Sequence, residues 1–264
     1  MDIMNRGLNR GLKRAWSSFF ALAVLLALSN ALFAQQGARV DKSQTGMLHD
    51  LSGVWNFDEN GGPAAASNLV PKDVGLTPWG VEKFKANGNR DSGTSYDNCE
   101  PLGFVSYPSY PHPIEIVQTP DRIFFFHEVN HLYRTIFMDG RPIPKPGELP
   151  FGPTYLGVSV GRWDGNDLVV ETVGLNDKTW VDTTHHPHSE QLHLTERYHR
   201  VDQKNLAVTL TFDDPKAYTK TFSWGPKNLH LKTDPAWALG EDFCSPAEQK
   251  RFDTNVTKNL NEPK

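Results

Sequence analysis

Five of the ten histidines of this 264-residue chain fall within residues 179–200, so this stretch is rich in groups that bind metals or transfer protons. His186 and His188 flank a proline, and both imidazoles could reach one ion from the same loop, with His193 or Glu190 completing the set. Three such ligands with an open position describe a catalytic zinc site. A divalent metal such as zinc is therefore one hypothesis, and a rigid loop without a metal is the alternative.

Acid–base catalysis without a cofactor is the second hypothesis for the same residues. An unperturbed imidazole titrates close to neutral pH, so His131 or His188 could transfer a proton there. Asp182 or Glu190 could orient the ring of His188, because both lie close to it in the chain. This chemistry would need no metal and no other cofactor.

Two predicted strands each place one charged side chain on an otherwise apolar face. Along residues 190–200 that side chain is Glu196, and along residues 132–138 it is Arg134. Their neighbours on these faces are Leu192, Leu194 and Tyr198 on one strand, and Leu132, Ile136 and Met138 on the other. Buried charges need partners, so we predict that Arg134 and Glu196 pair inside the fold, directly or through a ligand. The alternative is a bulge that shifts one strand and exposes its charge.

These assignments define the predicted site. Arg134 could hold a carboxylate, enolate or phosphate, and Glu196 could act as a general base. The predicted catalytic residues are His131, Arg134, His188 and Glu196. Aromatic and polar residues at loop junctions are predicted to bind the substrate, namely Trp79, Tyr133, Asn176, Lys178 and Trp180.

The elements that must position these residues are mostly short strands. Serial strands and tight turns from residue 114 onward indicate eight to ten antiparallel strands, in a mainly β fold with long Pro/Gly-rich loops. One helix is predicted to begin at Pro78 with Thr77 as N-cap and to end near Asn87. The last clear strand is predicted at residues 217–224, with a loop over residues 225–245.

The N-terminal 34 residues have the pattern of a cleaved signal peptide, with a basic start followed by an apolar run at residues 19–28. That run is shorter than the roughly 20 residues of a membrane-spanning helix, so we expect no stable membrane span. A flexible arm at 35–50, a barrel domain at 51–245 and a charged tail at 246–264 would follow. The expected location is the periplasm or the exterior, and the net charge of −4 without a basic cluster argues against nucleic acid.

Cys99 and Cys244 are the two cysteines of the chain. An even number of cysteines in an exported protein favours a disulfide, which would tie the early irregular region to the C-terminal part. Two separate thiols are the alternative.

Several long segments resemble a widespread family of uncharacterised exported bacterial proteins. They are DLSGVW, TPWG, EIVQTPDR, MDGRP, SVGRWDGNDLVVETVGLNDKTWVD, HPHSEQLHLTERY and DDPKAYTK. This resemblance covers nearly all of the mature chain and implies a single exported domain, without implying an activity or a cofactor. The shorter pattern Gly53-Val54-Trp55 is similar to the first strand of lipocalin-like (calycin) barrels, which favours a single closed barrel over a sandwich.

Two functions are compatible with these observations. The first is an exported acid–base enzyme of lyase, isomerase or hydrolase type, cofactor-free or metal-assisted, acting on a small and partly apolar substrate in the barrel lumen. The second is a lipocalin-like carrier that binds a small ligand without catalysis. Ionisable residues at predicted inward positions favour the enzyme, because a carrier of apolar ligands needs fewer of them.

Overall fold

A closed barrel of nine strands forms the fold, and each strand pairs with its neighbours in chain order while β1 closes onto β9. The computed structural model describes residues 48–57, 69–88, 101, 112–145, 147–149, 151–234, 236–241 and 245. The strands are β1 (Gly53–Asn56), β2 (Ile114–Gln118), β3 (Arg122–His127), β4 (Tyr133–Phe137), β5 (Val158–Asp164), β6 (Asp167–Val173), β7 (His193–Arg200), β8 (Asn205–Asp213) and β9 (Phe222–Leu231). The predicted fold class, a single mainly β barrel with few helices, is confirmed.

The pairing of β4 with β5 is parallel, whereas every other pair of neighbouring strands is antiparallel. The prediction of a wholly antiparallel barrel is therefore wrong at this position. The chain between residues 138 and 157 crosses from one end of the barrel to the other before β5 begins. A crossover of this kind needs about a dozen residues or more, and the Pro-rich segment supplies that length.

The helix α1 (Pro78–Ala86) forms as predicted. Thr77 is its N-cap, and the Thr77 hydroxyl accepts a hydrogen bond from the Gly80 backbone N–H at 3.1 Å. The proline at the first helical position lacks an N–H that would be unsatisfied there. Gly80 is required for close packing, because a Cβ at this position would lie 2.3 Å from the carbonyl oxygen of Ala217.

The final strand lies later in the chain than the sequence pattern predicted. Asp214 holds residues 214–218 in a turn, since the Ala217 N–H reaches both its backbone oxygen and its carboxylate at 3.1 Å. The strand β9 passes through Gly225 and Pro226, within the segment that the sequence pattern predicts to be a loop. The β8–β9 register shifts between Val208 and Leu210, and such a bulge accommodates a residue without a backbone N–H.

Alternate residues of the strands point inward and form the core. The fully or nearly fully buried strand residues include Trp55, Ile116, Phe125, Ile136, Val170, Leu194, Val208, Leu210, Phe212 and Leu229. Arg134 and Glu196 share these inward faces, as strand alternation predicted. The helix contained in the described ranges is not long and apolar enough to cross a membrane.

Several predicted features lie outside the described residues. They are the signal peptide at 1–34, the arm as far as residue 47, the tail at 246–264, and both Cys99 and Cys244. The cleaved leader and the disulfide therefore stay predictions.

Candidate functional site

Arg134 crosses the inner wall of the barrel from β4 and contacts one side chain on each of the next three strands. Its Nε donates to Ser159 Oγ on β5 at 2.9 Å, and its Nη2 donates to Thr172 Oγ1 on β6 at 2.7 Å. The same Nη2 forms an ion pair with Glu196 Oε2 on β7. The two charged side chains are only 2% and 4% exposed, so the predicted pairing inside the barrel is confirmed.

Tyr198 and His127 add two neutral polar groups next to this pair. The Tyr198 hydroxyl donates to Glu196 Oε1 at 2.7 Å, so each oxygen of the carboxylate accepts a hydrogen bond. Burial, reinforced by the Glu196 carboxylate, raises the pKa of the Tyr198 phenol well above its ordinary value. Burial and the charge of Arg134 lower the pKa of His127 to about 3, so His127 is neutral at neutral pH.

These groups line a small cavity inside the barrel. Its other walls are apolar and are formed by Phe57, Ile114, Phe125, Leu194, Val208, Leu210 and Leu229. The cavity volume is about 30 Å³. That is room for about one or two water molecules, so the lumen is largely filled by side chains.

A larger cleft opens where β4 and β5 separate, and we call it the seam cleft. The parallel register joins only two residues of each strand, and the strands diverge on the side of residues 133–135. The seam cleft has a volume of about 400 Å³ and is lined by residues 131–135, Phe137 and residues 156–159. Arg134 lines both the seam cleft and the interior cavity, whereas its partner Glu196 lines the interior cavity.

Two further residues of the predicted site line the seam cleft. His131 is the last residue of a short 3-10 turn (Val129–His131) and lies two residues before the start of β4. Its Nε2 lies 3.1 Å from the carbonyl oxygen of Gly240. Tyr133 is 61% exposed. The structure thus brings His131, Tyr133 and Arg134 together in one cleft, with Glu196 directly behind the guanidinium.

The other four residues predicted to bind substrate line neither the seam cleft nor the interior cavity. Trp79 packs against the core with the Lys216 ammonium 4.7 Å from its ring centre. Trp180 stacks on His185 with a centroid distance of 3.7 Å. Asn176 accepts a hydrogen bond from the Lys178 backbone N–H at 3.2 Å. The contacts of Trp180 and Asn176 lie within the loop between β6 and β7 and help to hold it together.

The three histidines of the predicted metal site each have a different partner. His186 Nδ1 lies 2.8 Å from Asp182 Oδ2, and His193 Nε2 lies 3.3 Å from Glu171 Oε1. His188 is completely buried, and its Nε2 lies 2.7 Å from the Thr179 hydroxyl. Within the part of the chain that the structure describes, no group of three His, Cys, Asp or Glu side chains is arranged to hold a metal.

His188 belongs to a buried network that fixes the β6–β7 loop. Burial lowers the pKa of His188, although the nearby Asp214 carboxylate opposes this shift. Asp214 in turn accepts hydrogen bonds from both the hydroxyl and the backbone N–H of Ser189, at 2.7 and 2.6 Å. Because His188 lines neither the seam cleft nor the interior cavity, we interpret it as a residue that holds this loop rather than one that meets a substrate.

A recess of about 850 Å³ lies on the outside of the barrel. Its walls come mainly from residues 143–145, Gly147, Leu149, Gly152, Pro153, residues 190–193 and Pro215. The lining is largely apolar, and the charged side chains are Lys145 and Glu190. No described buried ion pair faces it, so the seam cleft is the better candidate for chemistry.

Four residues of the site were not predicted as site residues: His127, Ser159, Thr172 and Tyr198. Strand alternation could have identified Thr172, because it shares the inward face of β6 with Leu168 and Val170. Ser159 was harder to identify, since its contact with Arg134 depends on the parallel pairing of β4 with β5.

No family model, curated protein or solved structure matches this chain. The fold and the geometry of the buried pair are therefore the basis for any proposed function.

Proposed function

We propose that this protein is an exported acid–base enzyme whose substrate binds in the seam cleft. The observation that supports this most directly is the position of Arg134, which lines a ligand-sized cleft and forms a fixed, buried ion pair behind it. Small-molecule sites are typically concave and apolar, with a few convergent polar groups and volumes of about 300–1,000 Å³. The seam cleft meets this description.

Arg134 would stabilise negative charge on the substrate. Its guanidinium is held by Ser159, Thr172 and Glu196, so it is fixed before the substrate arrives. Charges that are already oriented stabilise a developing oxyanion without reorganising, and burial strengthens their effect. This favours a substrate with a carboxylate or a carbonyl that becomes an enolate.

His131 would transfer the proton, because it is the imidazole that lines the seam cleft. Glu196 would position Arg134 rather than act as a base, since both of its oxygens already accept hydrogen bonds.

The interior cavity is too small for a carried ligand, so we favour catalysis over a lipocalin-like carrier. Sequencing the N-terminus of protein isolated from the periplasm tests the proposed export.

The test of the activity uses a panel of small, partly apolar carboxylates and carbonyl compounds, with conversion followed by mass spectrometry. We expect the wild type to convert at least one compound and His131→Gln to be slower by about 100-fold or more. His199→Gln is the matched control, because His199 lies on the outer face of β7 and is 54% exposed. Equal rates in His131→Gln and the wild type, or no conversion at all, would contradict the proposal.

A further inference from the structure

The β4 strand has a backbone edge that faces the seam cleft. In the β3–β4 pair, the His127 N–H donates to Leu132 O and the Met138 N–H donates to Asp121 O, both at 2.8 Å. Hydrogen-bonded residues alternate along an antiparallel pair, so residues 132, 134, 136 and 138 direct their backbone groups at β3. Tyr133 and Thr135 direct theirs the other way, toward β5.

Over most of that edge β5 is not paired with β4. The register pairs only Ile136 and Phe137 with residues of β5, and no described residue is the β5 partner of Tyr133. Tyr133 also lines the seam cleft. Its backbone N–H and C=O therefore point into a cleft of about 400 Å³, beside an exposed aromatic ring.

We infer that the seam cleft takes an extended, amide-bearing molecule of the peptide class, which adds to the β4 edge through the N–H and C=O of Tyr133. This inference names the substrate class of the site above and rests on that proposed function. One donor and one acceptor on the same residue match the C=O and N–H of one ligand residue, as in strand addition to a sheet edge. The neighbouring Arg134 favours a ligand with a negative group.

The geometry of the cleft favours a single extended ligand over a second copy of this chain. The edge is recessed, because residues 156–159 form the opposite wall of the cleft. A pairing between two copies would need a long, open strand edge, whereas only the first part of the five-residue β4 is open.

A proline substitution isolates the backbone donor. Tyr133→Pro removes the N–H and the side chain, whereas the control Tyr133→Ala removes only the side chain. Tyr133 is the first residue of β4, a position at which proline is tolerated in strands. Leu132 has φ −73° and ψ 139°, which suits a residue before proline.

The ligands are N-acetyl tripeptides with a free carboxylate and matched analogues in which the central amide is an ester. Affinities are measured by calorimetry, and native mass spectrometry records the oligomeric state. We expect the wild type and Tyr133→Ala to bind the peptides, with Tyr133→Pro or the ester weakening binding by about tenfold. Hydrogen exchange on the wild type should show that peptide binding protects the Tyr133 amide, which decides the question if Tyr133→Pro does not fold.

Equal binding of the amide and ester ligands, equal binding by the proline and alanine variants, or dimerisation in place of peptide binding would overturn the inference. Conversion of panel carboxylates that lack an amide, without peptide binding, would overturn the inference and leave the proposed function standing. Failure of both ligand classes would overturn both.

Discussion

Arg134 on β4 is paired with Glu196 on β7, although β5 and β6 lie between these strands in the barrel wall. The guanidinium extends over the inner surface of both intervening strands and contacts Ser159 and Thr172 on the way. The two hydroxyls also lie 2.9 Å apart, so the four side chains form one connected network. Burying a charge pair of this kind costs desolvation energy. Its contribution to the stability of the fold therefore depends strongly on the hydrogen bonds that its partners supply.

Breaking the pair on one side should destabilise the protein more than removing both charges. Glu196→Gln leaves a buried guanidinium without its counter-charge and should cost about 3–5 kcal/mol in the free energy of unfolding. The double variant Arg134→Met/Glu196→Leu should cost less, because no unpaired charge remains. Urea unfolding measures both, with the exposed Arg197→Met as a control expected to change stability by about 1 kcal/mol or less. A double variant that loses as much free energy of unfolding as the sum of the losses from removing each charge alone would contradict this account.

Thr172→Val should destabilise the protein by about 1–3 kcal/mol, because the guanidinium of Arg134 loses a buried hydrogen-bond acceptor. Thr195→Val is the matched control, since Thr195 lies on the outer face of the adjacent strand. It should change the free energy of unfolding by about 0.5 kcal/mol or less. Equal costs for the two substitutions would show that the hydrogen bond to Arg134 contributes nothing.

His127 should make the protein less stable as the pH falls. Its pKa is about 3 in the folded protein, below the ordinary 6.5, because of burial and the charge of Arg134. Between these two values the unfolded chain binds the proton and the folded protein does not, so acidification favours unfolding. Near pH 5, His127 should lower the free energy of unfolding by about 1.4 kcal/mol for each pH unit of acidification.

His127→Gln should reduce that slope, measured by urea unfolding from pH 7 to pH 4. His199→Gln, at a histidine on the outer face, is the control and is measured in parallel. Parallel pH profiles for the wild type and His127→Gln would contradict the assignment.

Asp182 should contribute to stability only above strongly acidic pH. Burial by itself would raise the pKa of this carboxyl, but hydrogen bonds from His186 and Thr184 outweigh it and lower the pKa below 3.8. The contribution is therefore present above about pH 4 and is lost as the pH falls through the lowered value. Asp182 also accepts the Leu69 N–H at 2.9 Å, which ties the β6–β7 loop to the segment before α1.

Asp182→Asn should therefore cost about 1–3 kcal/mol at neutral pH and progressively less toward pH 2, as followed by thermal unfolding. Asp121→Asn, at a 63% exposed turn position, is the control. A constant difference between wild type and Asp182→Asn across this pH range would contradict the assigned sign.

The sequence predicted the part of the site that depends on local alternation. The period of two along β4 and β7 placed Arg134 and Glu196 inside the barrel without any knowledge of which strands are neighbours. It could not reveal the seam cleft, because that opening results from the parallel approach of β5 to β4 after a long connection. Strand order is a tertiary property, and alternation within one strand does not encode it.

The roles predicted for the histidine-rich loop in metal binding and proton transfer stay predictions. Composition cannot distinguish a histidine that meets a ligand from one that holds a loop, because both occur in polar, proline-containing segments. Their position relative to the cavities distinguishes them: His131 lines the seam cleft, whereas His188 lines neither the seam cleft nor the interior cavity.

The most direct test of the central claim is a ¹H–¹⁵N NMR map of ligand binding to the full barrel. The ligands are the panel compounds and the N-acetyl tripeptides, and the observed signals include the backbone amides and the Arg134 side-chain Nε–H. The account predicts that the largest shifts fall at residues 131–135, residues 156–159 and the Arg134 Nε–H. Shifts confined to the outer recess around Leu149 and Gly174, or no shifts with any ligand, would contradict it.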